Sequence, residues 1–230
     1  MLEKLLTAQI VIAGAPILWR EIIGNLFGLV SAFLGMRRTV WAWPIGIVGN
    51  VLLFTVFLGG VFGTPQHLDL WGQAGRQVFF AAVSVYGWWR WRSRQQVGEA
   101  ADGKAIEPSW ASWKVRAALV LGMVVLTAVL STVLARLDSW NPLADGWILA
   151  GSILATYGMA RGWVEFWLIW IAVDAVGVPL LLKAHLYPSA SMYIVYGGLC
   201  LYGVFNWARA RRRLEGLTAS GAATEPATAR

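Results

Sequence analysis

From Val164 to Leu182 the sequence is apolar at nearly every position. Beyond Glu165 at its start it carries one acid, Asp174, near its middle. As a helix, such a run is about long enough to cross a bilayer core of ~30 Å. Trp167, Trp170 and Asp174 stand at i, i+3 and i+7 and so share one helical face. A carboxylate turned towards lipid costs several kcal/mol, so this face is expected to look into protein or a watery cavity. Two indoles beside one buried acid suit a flat, hydrogen-bonding small molecule.

The remaining segments are of the same kind. The chain is 58% hydrophobic and 13% charged, with a mean hydropathy of +0.59. A soluble domain carries about a quarter charged residues, so this chain cannot cover its surface with polar groups and reads as an integral membrane protein. Hydrocarbon admits only helix bundles and closed barrels. The apolar runs are continuous rather than alternating, which selects an all-α bundle.

The formal charge of +7 does not point to nucleic acid, because the basic residues gather at the ends of apolar segments, where topology is set. Cys200 is the single cysteine, which excludes an intrachain disulfide and reads as a small core residue. No cleavable signal peptide is expected: the N-terminal apolar stretch is interrupted at Gly14-Ala15-Pro16 and lacks a basic region before it. A membrane enzyme would need a nucleophile or metal cluster, and no Ser–His arrangement, His/Cys cluster or Gly-rich phosphate loop is visible. His67 and His185 fall in outer loops without ligand spacing, so neither metal nor cofactor is expected. A sensor or scaffold would carry a soluble domain, for which linker and tail are too short. A channel would want a more polar lining. A transporter is the class favoured, with a channel kept as the alternative.

Taken in order, residues 1–20, broken at Pro16, read as an interfacial or re-entrant arm. Residues 21–92 hold three spans. The first runs from about Ile22 to Met36, the second from Trp41 past Pro44 to about Phe62, and the third from about Leu70 to Trp91. A polar connection, Gly63 to Asp69, joins the second and third. The run Tyr86 to Arg92 reads as an aromatic belt with basic anchors. Residues 93–113 form a polar, exposed cytoplasmic linker, and 114–138 a connector helix without chemistry of its own. Residues 139–209 hold spans from about Ala144 to Met159, Val164 to Leu182 and Ala190 to Trp207. Residues 210–230 begin with Arg211, Arg212 and Arg213 and are expected to become disordered after Leu214. The basic residues accumulate on one side of these seven spans, which puts the N-terminus outside and the C-terminus in the cytoplasm.

The halves repeat. Laying 37–50 on 161–174 sets Arg37 on Arg161, Trp43 on Trp167, Ile47 on Ile171 and Asn50 on Asp174. Further on, Tyr86-Gly87 and Trp91 match Tyr202-Gly203 and Trp207. The connector restores the orientation that an odd span count would invert. The architecture expected is therefore seven transmembrane helices as 3+1+3 parallel repeats, with substrate near the midplane between them. Trp170 matches Gly46, which suggests a wall opposite a gap.

The runs Trp43-Pro-Ile-Gly-Ile-Val-Gly-Asn50, Gln77-Val-Phe-Phe80 with Tyr86 to Trp91, and Val164-Glu165 with Trp167, Trp170 and Asp174 resemble the PnuC family of vitamin transporters. The resemblance covers about Glu21 to Trp207. It implies a fold similar to the SWEET sugar transporters and uptake by facilitated diffusion, with trapping by a cytoplasmic vitamin kinase. The family's best-known substrate is nicotinamide riboside. Phe166 stands where those members have Asn, and the wording from Ala160 to Trp167 and from Val173 to Leu180 is similar to the actinobacterial riboflavin branch (PnuX or RibM).

The expected substrate site comprises Asn50, Gln77, Trp167, Trp170, Asp174 and Tyr193. Trp170 is the ring expected to stack; Trp167 could equally be an interfacial anchor. Gln73 shares a face with Gln77, near Arg76, but lies further out. Glu165 is expected to pair with Arg161. Gly177 and Pro179 would let the sixth span bend, since proline deletes a backbone hydrogen bond. The partners expected are a vitamin, most simply riboflavin with nicotinamide riboside as the alternative, the lipid bilayer, and further copies of the chain in a homo-oligomer.

Overall fold

The computed structural model describes residues 8–12, 15–62, 71–98, 100, 102–137, 141–183 and 187–223. Among the described residues seven long helices follow one another: α1 Trp19–Met36, α2 Ala42–Phe57, α3 Trp71–Gln96, α4 Trp113–Arg136, α5 Pro142–Arg161, α6 Glu165–Lys183 and α7 Tyr187–Ala223. A helical turn, Gly59–Phe62, continues α2 beyond Leu58, whose φ of −100° and ψ of 62° leave the helical region. The His67 and His185 loops, the connection at 63–69 and the last seven residues lie outside the described ones.

Two expectations change at the chain's ends. The fold is not wholly helical, because β1 (Gln9–Ile12) pairs antiparallel with β2 (Ala15–Leu18) ahead of α1. Ile10, Val11 and Ile12 favour extended backbone, and Pro16 is tolerated because both strands of a two-stranded ribbon are edges. At the other end α7 continues through Ala223 rather than losing its structure after Leu214. An Arg211–Glu215 pair, 2.8 Å apart at i, i+4, supports the extension.

The helix ends are read from sequence. Ser112 caps α4 by accepting from the Val115 amide, and Asn141 caps α5 by accepting from Ala144, with Pro142 in the first turn. Gly162, at φ 82°, closes α5 in the left-handed conformation that glycine adopts without steric cost. By length and hydropathy α4 can cross a membrane, and α2 is apolar but shorter. Val120, Leu121, Val124, Val125, Val129 and Val133 of α4 are exposed, a face that in a membrane meets hydrocarbon.

The chain divides into two compact units, Met1–Arg92 and Ser93–Arg230. In the first, α1 and α2 approach closely at Gly49, where a Cβ would stand 3.1 Å from Phe27 Cβ. Trp43 of α2 lies on Gly87 of α3, where a Cβ would come within 2.5 Å of the indole. Trp43 also meets Trp91 edge-on, with centroids 5.2 Å apart and planes at 88°. Trp91 is thus core, not belt; Trp88 and Trp89 are the exposed members of that run. Gly46 does not leave a gap, because Ser31 Oγ occupies the space its side chain would take.

In the second unit α5 and α6 cross at Gly151, whose missing Cβ makes room for Val173. The linker is not an exposed tether. Ala105, Ile106, Pro108 and Ala111 are buried, and Ser109 forms a parallel bridge with Trp163 at the α5–α6 corner. Polar composition suggested solvent, but these small and apolar side chains alternate with the polar ones and pack inward.

Candidate functional site

The expected residues of α6 are set by its contacts with α7. Asp174 is buried, at 8% exposure, and its Oδ2 accepts no hydrogen bond. Opposite it stands Gly197 of α7, where a Cβ would lie 3.4 Å from that oxygen. One turn along α6, the Tyr193 ring fills the space left by Gly177. Gly177 therefore admits a neighbouring ring, and α6 remains helical through Pro179. Tyr196 and Cys200 lie on the same face of α7 as Gly197. A carboxylate oxygen held in this setting without a donor is costly, since even a neutral orphan group costs ~1–3 kcal/mol. It is a strong acceptor left without a donor.

The two tryptophans separate. Trp167 is 3% exposed and lies on Gly203, with Phe166 at 4.2 Å and Trp207 at 6.1 Å between centroids. It is held in a cluster of rings rather than anchoring at an interface, although its Nε1–H is buried without an acceptor. Trp170 is half-buried and keeps part of its surface open. Phe166 packs on Gly158 and Trp207, so whatever distinguishes it from asparagine acts through the seating of Trp167.

In the first unit Gln77 is buried at 3% exposure and Asn50 is half-buried, while the Gln73 side chain lies outside those described. Trp43 Nε1–H is buried without an acceptor, as in Trp167. Tyr196 and Gly197 escaped the sequence reading, whereas Cys200, read as a small core residue, is buried. The spacing Tyr193, Tyr196, Gly197, Cys200, Gly203, Trp207 keeps one face of α7 and was the available signal. Glu165 does not pair with Arg161. Its Oε1 lies 2.7 Å from Arg116 Nε, and the Arg161 guanidinium sits over Trp163 at 5.4 Å. The corner geometry turns Glu165 towards the linker.

With this geometry in place, comparison with known proteins is decisive. A family model described as the nicotinamide mononucleotide transporter matches residues 18–209. The chain belongs to the nicotinamide mononucleotide transporter family. Within it, the riboflavin/roseoflavin transporter RibM of Streptomyces davaonensis is 37% identical over 199 residues, covering 86% of this chain and 88% of that protein. The nicotinamide riboside transporter PnuC of Escherichia coli is 25% identical over 222 residues, covering 86% and 89%. A crystal structure of the vitamin B3 transporter PnuC shares the fold, with a TM-score of 0.67 and 22% identity over 85% of this chain and 83% of that one. The seven-helix architecture is that of a multi-pass membrane transporter family.

Proposed function

We propose that this family member carries riboflavin into the cell by facilitated diffusion. The observation that carries the reading is the buried, donor-less Asp174 Oδ2 beside a partly open Trp170, in a chain 37% identical to a riboflavin/roseoflavin transporter. Riboflavin offers a flat isoalloxazine for the indole face, and an imide N–H or ribityl hydroxyl for the carboxylate. Tyr193 packs on Gly177, one turn along α6 from that acid, and Trp167 offers its unused indole N–H. Asn50 and Gln77 are further polar groups read as candidates for contact with the vitamin. The two units are read as parallel repeats of one three-helix motif.

The N-terminus faces outward and the basic end of α7 faces the cytoplasm, where a vitamin kinase traps the product; the transporter itself performs no chemistry. Association of several copies in the bilayer is compatible with this scheme. Nicotinamide riboside is the second reading, on the strength of the PnuC relatives. The deciding measurement is riboflavin fluorescence in the presence of the purified protein, with nicotinamide riboside as competitor. Quenching that the riboside does not displace is expected. Absence of quenching, with calorimetric binding of the riboside, transfers the site to the smaller vitamin.

A further inference from the structure

Glu165 opens α6 two residues before Trp167, yet its carboxylate is engaged by the linker. Both oxygens accept from the Ala111 amide, each at 3.1 Å, and Oε1 also takes Arg116 Nε at 2.7 Å. Charged acceptors make the stronger, shorter hydrogen bonds, and this one is 8% exposed. Around it the linker is tied on both sides. The Ser109 amide donates to Gly162 O at 3.0 Å, and the Val164 amide donates to Ser109 O at 2.9 Å. Ile106 is seated on Gly162, where a Cβ would come within 2.7 Å of its Cγ1. Gly162 is thus fixed twice, by its positive φ and by the chain lying on it. Beyond the corner, Glu107 holds Arg211 of α7 at 2.6 Å.

We propose that residues 105–111 form a permanent clamp on the second unit, with Glu165 as the positioning residue that fixes the start of α6 and, through it, Trp167 and Trp170. A segment joined by backbone bonds to the corner, by the Ala111 amide to Glu165 and by an ion pair to α7 holds the helix start in one rotation, with Arg116 of α4 pairing the same carboxylate. A turn of α6 about its axis would carry Trp170 and Asp174 off their face together. The uptake arm of the test rests on the transporter reading; the exchange arm does not.

Hydrogen exchange on the protein in lipid nanodiscs, without substrate, reads the clamp directly. The Ser109 and Ala111 amides are expected to be protected, and Glu165→Ala or Arg116→Gln to speed their exchange by about tenfold or more. Equal protection in wild type and both variants overturns the clamp. In cells, Glu165→Ala is expected to raise KM several-fold at little-changed maximal uptake per molecule in the membrane. An unchanged KM with fewer molecules in the membrane reduces Glu165 to a folding contact and overturns its positioning role. Joining Glu107→Cys to Arg211→Cys through mixed disulfides with a bis-methanethiosulfonate reagent is expected to preserve uptake and to restore KM in Glu165→Ala. Uptake lost on bridging and regained on reduction overturns a fixed clamp in favour of a gate that opens. If no vitamin is transported, the exchange result still decides the clamp, and the failure belongs to the substrate assignment.

Discussion

The second and sixth segments of the chain each begin with a tryptophan that is seated in the same way. Trp43 lies on Gly87 with Trp91 against its edge; Trp167 lies on Gly203 with Trp207 against its edge. The helix crossings correspond too, with their sizes exchanged. In the first unit the small residue is Gly49 of α2 against Phe27 of α1; in the second it is Gly151 of α5 against Val173 of α6. The corners agree in backbone, since Arg38 at φ 55° and Gly162 at φ 82° hold matching positions. What differs is polar. Asn50 is replaced by the donor-less Asp174, Gly46 by Trp170, and Trp41, exposed at 68%, by the buried Glu165. The packing is thus shared between units, while the buried ionisable groups differ in sign: Arg20 and Arg38 in the first, Glu165 and Asp174 in the second.

That contrast can be broken most forcefully at the acid. Asp174→Ala is expected to weaken riboflavin uptake affinity by about a hundredfold, and Asn50→Ala by about tenfold or less, as for charged and neutral hydrogen bonds of ~1.5–3 and ~1 kcal/mol. Equal losses in a transport assay would mean that both units contribute alike. Next come the seats of the indoles. Gly87→Val and Gly203→Val should each destabilise the purified protein by ~1–3 kcal/mol through overpacking. Thermal unfolding in detergent checks this, and a response at one site alone would separate the units.

The exchanged crossing is sharper but smaller. Gly151→Ala should lower the melting temperature, and adding Val173→Gly should recover much of the loss, with a coupling of ~0.5–3 kcal/mol; strict additivity would show that the two residues do not share a contact. The smallest effect is expected at Trp170→Ala. Losing one stacking face of ~0.5–1.5 kcal/mol should cut riboflavin affinity a few-fold at unchanged melting temperature. An unchanged affinity removes Trp170 from the site.

Much of this was written in the order of residues. Helix number and approximate ends follow from continuous apolar runs punctuated by Pro44, Asn141, Pro142 and Gly162, because local capping and burial demands act over a few residues. Asp174 was legible for the same reason: an acid in an apolar run must find a polar setting. Trp91 was misread because interfacial and buried tryptophans look alike in composition, and only the glycine four residues earlier signalled a close approach.

The sequence by itself determined a helical membrane chain with a doubled motif and one acid out of place, since hydropathy and periodicity are properties of the chain alone. The tertiary structure decided which indole is core and which is open, what fills Gly46 and Gly177, and where Glu165 spends its charge. Each depends on residues far apart in sequence arriving at one point. Ile106, Ala111 and Arg116 meet the corner at Gly162 and Glu165 only after the chain has folded back on itself, and no local pattern encodes that meeting.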